Sequence, residues 1–94
     1  SDARQNQSGQ FLTGDQNLIH VQATLHYRVA DPVRFALGQQ SPEQALRLAL
    51  EAGLTETISS LGVDGLLTSG RSDAQRRALE RSAELAERYG LGVA

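Results

Sequence analysis

The chain has 94 residues, 39% hydrophobic and 21% charged, which bounds it to one small globular domain and excludes a disordered or fibrous class. Nine Arg against eleven Asp and Glu leave a net charge of −2, which argues against a dedicated nucleic-acid binder with its basic footprint. With no Cys and no Lys, the chain has no disulfide, thiolate zinc site, cysteine nucleophile, Schiff-base lysine or phosphate-binding P-loop lysine.

Ser1 to Gln10 is polar and predicts a flexible lead-in, with the domain proper over residues 11–94. Phe11-Leu12-Thr13 is a short apolar run, and Gly14-Asp15-Gln16-Asn17 is turn chemistry. From Ile19 the alternate positions Ile19, Val21, Ala23, Leu25, Tyr27 and Val29 are apolar, with His20, Gln22, Thr24, His26 and Arg28 between them. Such alternation marks a half-buried strand. A β-hairpin with one short arm and one long arm follows.

Asp31-Pro32 ends the strand and opens a short helix over Val33–Leu37, stopped by Gly38. Ser41-Pro42-Glu43-Gln44 is a second helix start, with Ser41 as cap. Beyond it Ala45, Leu46, Leu48, Ala49, Leu50, Ala52, Leu54 and Ile58 cover more than half of the helix circumference. A helix apolar so far round is buried between two surfaces. Gly62-Val63-Asp64-Gly65 is a connector, and Leu66-Leu67 a helical turn capped by Asp64. The last helix runs from Ser72 to Tyr89, with Gly90 as its stop. Ala74, Ala78, Leu79, Ser82, Ala83, Leu85, Ala86 and Tyr89 fall in one half-circle and the charged residues in the other, where pairs such as Glu84 with Arg88 add support. The fold class is therefore α+β, an antiparallel hairpin packed against two longer helices.

No residues assemble into a chemical site. His20 and His26 lie six residues apart on one strand face, about 20 Å at the strand rise, too far to share one ion within a chain. They read as solvated strand residues, and no metal or cofactor is expected. No G-x-S-x-G elbow supports a Ser-His-Asp triad, so no catalytic residue is assigned. Gly90-x-Gly92 follows a helix instead of a strand, the wrong context for a dinucleotide loop. Arg71, Arg76, Arg77 and Arg81 are interleaved with Glu80, Glu84 and Glu87, which predicts a salt-bridged face and not a phosphate-binding one. No apolar run approaches the roughly 18 residues of a membrane span. The sequence reads as a piece of a longer protein, with any anchor or partner-binding tail outside it. An unpaired strand edge and an Ala-rich helix face predict self-association, as a dimer or higher oligomer.

Thr13-Gly14-Asp15-Gln16-Asn17, the long alternating strand and Tyr27-Arg28-Val29-Ala30-Asp31-Pro32 together resemble the SPFH (band 7, stomatin/prohibitin) domain. That family has a T-x-D turn leading a strand that closes in Y-R-V-x-D-P. Ser41-Pro42 with Leu46-Arg47 is similar to its bacterial HflK-type branch. Asp64, Leu66-Leu67-Thr68 and Gly70-Arg71 match a D-x-[IL]-L-x-x-x-R stretch, and the last helix followed by Gly92-Val93 matches a helix running into a G-[IV] strand. Leu54-Thr55 and Ile58-Ser59 stand where the family has L-R-x-x-[IV]-G, so the Arg and the Gly are replaced.

The resemblance implies a fragment of an SPFH domain in a membrane-anchored protein that forms large ring-like assemblies. It implies a non-catalytic assembly and regulatory role with an HflC-type partner and a membrane protease of the FtsH type. It further implies the periplasmic side of a bacterial inner membrane, with the fragment itself soluble and making no nucleic-acid contact. The alternatives are part of a membrane-associated protease or hydrolase, and a small adaptor or nucleic-acid-binding module.

Overall fold

A strand with one apolar face needs a layer to bury it, and in this chain the two long helices supply that layer. The computed structural model describes residues 2–33, 35, 42–67 and 70–90. Its elements are β1 (Asp2–Leu12), β2 (Leu18–Arg28), α1 (Pro42–Ser59), α2 (Val63–Leu67) and α3 (Arg71–Arg88). This is the α+β arrangement that the alternation and the two helical periodicities predict.

The hairpin differs from expectation in its first arm. Both arms are 11 residues long and pair antiparallel from Asp2↔Arg28 to Leu12↔Leu18. The polar stretch before Phe11, expected as a flexible lead-in, is thus most of β1. Its positions do alternate between half-buried and exposed, but the half-buried ones are Ala3, Gln5, Gln7 and Gly9. None of these carries a strong apolar signal. Backbone pairing with β2 orders them, since each antiparallel partner satisfies main-chain groups whatever the side chain.

Beyond Arg28 the chain turns at Asp31, whose carbonyl accepts the Phe35 amide at 3.0 Å. Pro32, Val33 and Phe35 are helical, and the Phe35 ring stacks on Tyr27 with centroids 6.5 Å apart. The expected Gly38 stop, the Ser41 cap and the strand start at Gly92-Val93 lie outside the described residues.

Helix α1 lies along β1 on one side and against α3 on the other, as its broad apolar sector requires. One core cluster joins Phe11, Leu50, Leu54, Ile58 and Ala78, with Ile19, Val21, Ala23, Leu25 and Leu66 packed beside it. A second joins Leu46 and Ala86 with Leu25, Tyr27 and Ala45. The odd-numbered face of β2 therefore turns to the helices, as the alternation predicts. Leu48 is the exception on α1, half in solvent at 50% exposure.

The two long helices touch at Gly53. A Cβ there would stand 2.5 Å from Ser82 Oγ and 2.8 Å from the Ala78 carbonyl oxygen, so only glycine permits this crossing. Ser82 is fully buried, and its hydroxyl donates to the Ala78 carbonyl at 2.7 Å. The small face of α3 thus meets the one α1 position without a side chain. Leu79, Ala83 and Tyr89, expected on that buried face, are exposed instead, because the buried stripe of α3 is narrower and runs only through Ala74, Ala78, Ser82, Leu85 and Ala86. The helix ends as expected, with Gly90 at φ 67° donating its amide to the Glu87 carbonyl at 3.0 Å.

Candidate interaction surfaces and the hairpin clamp

Among the described residues a dense cluster of hydrogen-bonded polar groups lies at the hairpin turn. Thr13 directly follows β1 and has only 2% of its surface exposed. Its amide donates to the Asn17 carbonyl at 2.8 Å, and its hydroxyl oxygen accepts from the Asn17 amide at 3.0 Å. The hydroxyl hydrogen faces both the Asp15 carboxylate and the Asn17 carbonyl. Gln16 takes φ 70°, and its amide donates back to the Thr13 carbonyl at 3.1 Å. Thr, Asp and Asn at these spacings close a turn by side-chain to main-chain bonds.

The closed turn is docked on the connector between α1 and α2. The Gly14 amide donates to the Leu61 carbonyl at 2.7 Å, and the Val63 amide donates to Asp15 Oδ2 at 3.3 Å. A Cβ on Gly14 would stand 2.8 Å from the Ser59 carbonyl oxygen. Asp15 therefore serves the start of α2 from far along the chain. Asp64, the residue expected in that role, instead lies inside the helix, since α2 begins at Val63. Hydrogen bonding, first from Thr13 and then from Asn17, with a smaller part from the Val63 amide, holds the Asp15 carboxyl below its ordinary value. Two stretches that were matched separately, the T-x-D turn and the segment around Asp64, meet here in space. The polar pattern of 13–17 signals a turn, but no local signal shows where that turn docks.

The outer face of the sheet carries Arg4, Asn6, Ser8 and Gln10 from β1 and His20, Gln22, Thr24, His26 and Arg28 from β2, all exposed. Thr24 Oγ1 donates to Asn6 Oδ1 at 3.0 Å, and the Ser8 hydroxyl lies 3.3 Å from His20 Nε2. His20 stands opposite Gln10 and His26 opposite Arg4, so the two histidines do not converge. Among the described residues no group of three His, Asp or Glu has metal-binding geometry. At the tip of this face Leu12 and Leu18 pair across the strands with 51% and 63% of their surface exposed.

The solvent side of α3 is a lattice of ion pairs. Arg76 reaches Asp73 at 2.5 Å and Glu80 at 2.9 Å, while Arg81 bridges Glu84 at 3.1 Å and Glu56 of α1 at 2.7 Å. Arg77 donates to the Ser60 hydroxyl at 3.1 Å. The hydrogen bonds that Arg76 donates to Asp73 and Arg81 donates to Glu56 lead the effects that raise the pKa values of these two arginines. Glu84, expected with Arg88, points to Arg81 instead. Arg76 and Arg81 are thus held by carboxylates, and Arg77 lies 3.9 Å from Asp73, which matches the salt-bridged face that the interleaved charges predict.

A further apolar feature among the described residues is an open cleft of ≈ 670 Å³ between β2 and α3, lined also by Leu54 and Ile58 of α1. Among the described residues β2 has β1 as its one strand neighbour, so its other edge borders this cleft. Thr55 and Ser59, which replace the Arg and the Gly of the helix signature, are both exposed on α1, whereas Leu54 and Ile58 beside them belong to the core. No helix among the described residues is long and apolar enough to cross a membrane.

The sequence matches the SPFH domain / Band 7 family over residues 2–94. It is similar to Protein HflK of Vibrio parahaemolyticus, 31% identical over 86 residues, covering 92% of this chain and 22% of that protein. It is similar to Modulator of FtsH protease HflK of Escherichia coli, 30% identical over 86 residues, covering 92% of this chain and 20% of the relative. Protein HflK of Treponema pallidum is 32% identical over 85 residues, covering 88% of this chain and 26% of the relative. The chain spans about a fifth to a quarter of the length of these relatives.

Proposed function

The chain belongs to the SPFH domain / Band 7 family, and from that membership we propose that it is a non-catalytic assembly and regulatory domain of an HflK-like protein. The whole protein is anchored in a bacterial inner membrane by segments outside this stretch, with the domain on the periplasmic side. It self-associates, joins an HflC-type partner in large oligomers, and modulates a membrane protease of the FtsH type. One observation carries the reading: 30% identity, over 92% of this chain, to a protein named as a modulator of FtsH protease. The surfaces are in keeping with it, since polar groups close turns, pair across strands or bridge helices. No residue is assigned a catalytic role.

The test uses the full-length protein in detergent. It is expected to co-purify with an FtsH-type protease and, when deleted, to change the turnover of that protease's membrane substrates. Peptide hydrolysis or serine-directed labelling of the full-length protein, freed of the protease, would overturn the reading in favour of an enzyme. Self-association is tested on the chain itself by light scattering at tens of micromolar. A mass above that of one 10.1 kDa chain is expected, and a strictly monomeric mass would remove self-association from the proposal.

A further inference from the structure

We draw no further inference here: the strongest candidate, the apolar cleft between β2 and α3 lined by Val21, Ala23, Leu25, Leu54, Ala78 and Leu79, carries nothing because no feature of the described residues shows what covers it.

Discussion

The two arms of the hairpin share one ladder and one length, yet different forces hold them in place. β2 presents Ile19, Val21, Ala23, Leu25 and Tyr27 to the helices, enough apolar surface to dock it. On the same face β1 presents Ala3, Gln5, Gln7, Gly9 and Phe11, and of these only Phe11 is a large apolar side chain. Helix α1 nevertheless lies along β1, and the Gln7 side chain donates from Nε2 to the Glu51 carboxylate at 3.2 Å. A strand can thus be recruited by its partner's backbone and pinned by one anchor. The other arm needs no such pin.

Breaking the anchor is expected to have the largest effect. Phe11 is 8% exposed and sits among Leu50, Leu54 and Ile58, so Phe11→Ala should cost about 3 to 5 kcal/mol in urea unfolding. A loss under about 1 kcal/mol would mean that the ladder alone holds β1. On β2 the apolar load is spread over five residues, each half-buried. Leu25→Ala should therefore cost only about 2 kcal/mol, the low end for a large-to-small change, because the cleft leaves this side chain partly wet.

The turn that joins the arms holds both of them to the helices. Gly14→Ala would push a methyl against the Ser59 carbonyl, which is backbone and cannot swing aside. The expected cost is about 1 to 2 kcal/mol, with faster exchange of the Gly14 amide as its bond to Leu61 lengthens. An unchanged exchange rate would show that the turn is not docked there.

Most of this fold was legible, and the failures share a cause. Period-two alternation located β2, and period-3.6 patterning located α1 and α3, because in each the side chains themselves carry the burial. In β1 only the end at Phe11-Leu12 is legible, because the burial of the rest is imposed by a partner: Gln5, Gln7 and Gly9 take inner positions that they would not reach alone. On α3 the apolar half-circle is wider than the buried stripe at Leu79, Ala83 and Tyr89, since helical phase gives a face but not the width of the neighbour that covers it. The clamp was half legible. Thr13, Asp15 and Asn17 announced a turn, whereas the bond from Val63 to Asp15 depends on tertiary contact and left no mark in the chain.

Acid should loosen the clamp before it affects the arms. The Asp15 pKa is lower in the folded state than its ordinary 3.8, so the carboxylate stabilises the fold above that value. This contribution is lost as pH falls from there through the lower folded value. Asp15→Asn should be less stable than the parent at neutral pH and should lose less stability between about pH 5 and about pH 2.5. Thermal midpoints at several pH values measure both. Parallel curves for parent and variant would show that the carboxylate charge contributes nothing to the clamp.

The smallest effect is expected directly beside one of the larger ones. His26 follows Leu25 in β2 but faces outward, opposite Arg4, on the exposed side of the sheet. His26→Ala removes no buried surface and leaves the ladder bonds intact, so the change should stay within about 0.5 kcal/mol. What remains is the weaker strand preference of Ala on a solvated surface. The contrast with Leu25→Ala is the sharper measurement, since the two sites share one strand, one ladder and nearly the same sequence context. Equal losses at both positions would mean that β2 is not one-sided. The packing of its odd face on the helices would then have to be abandoned.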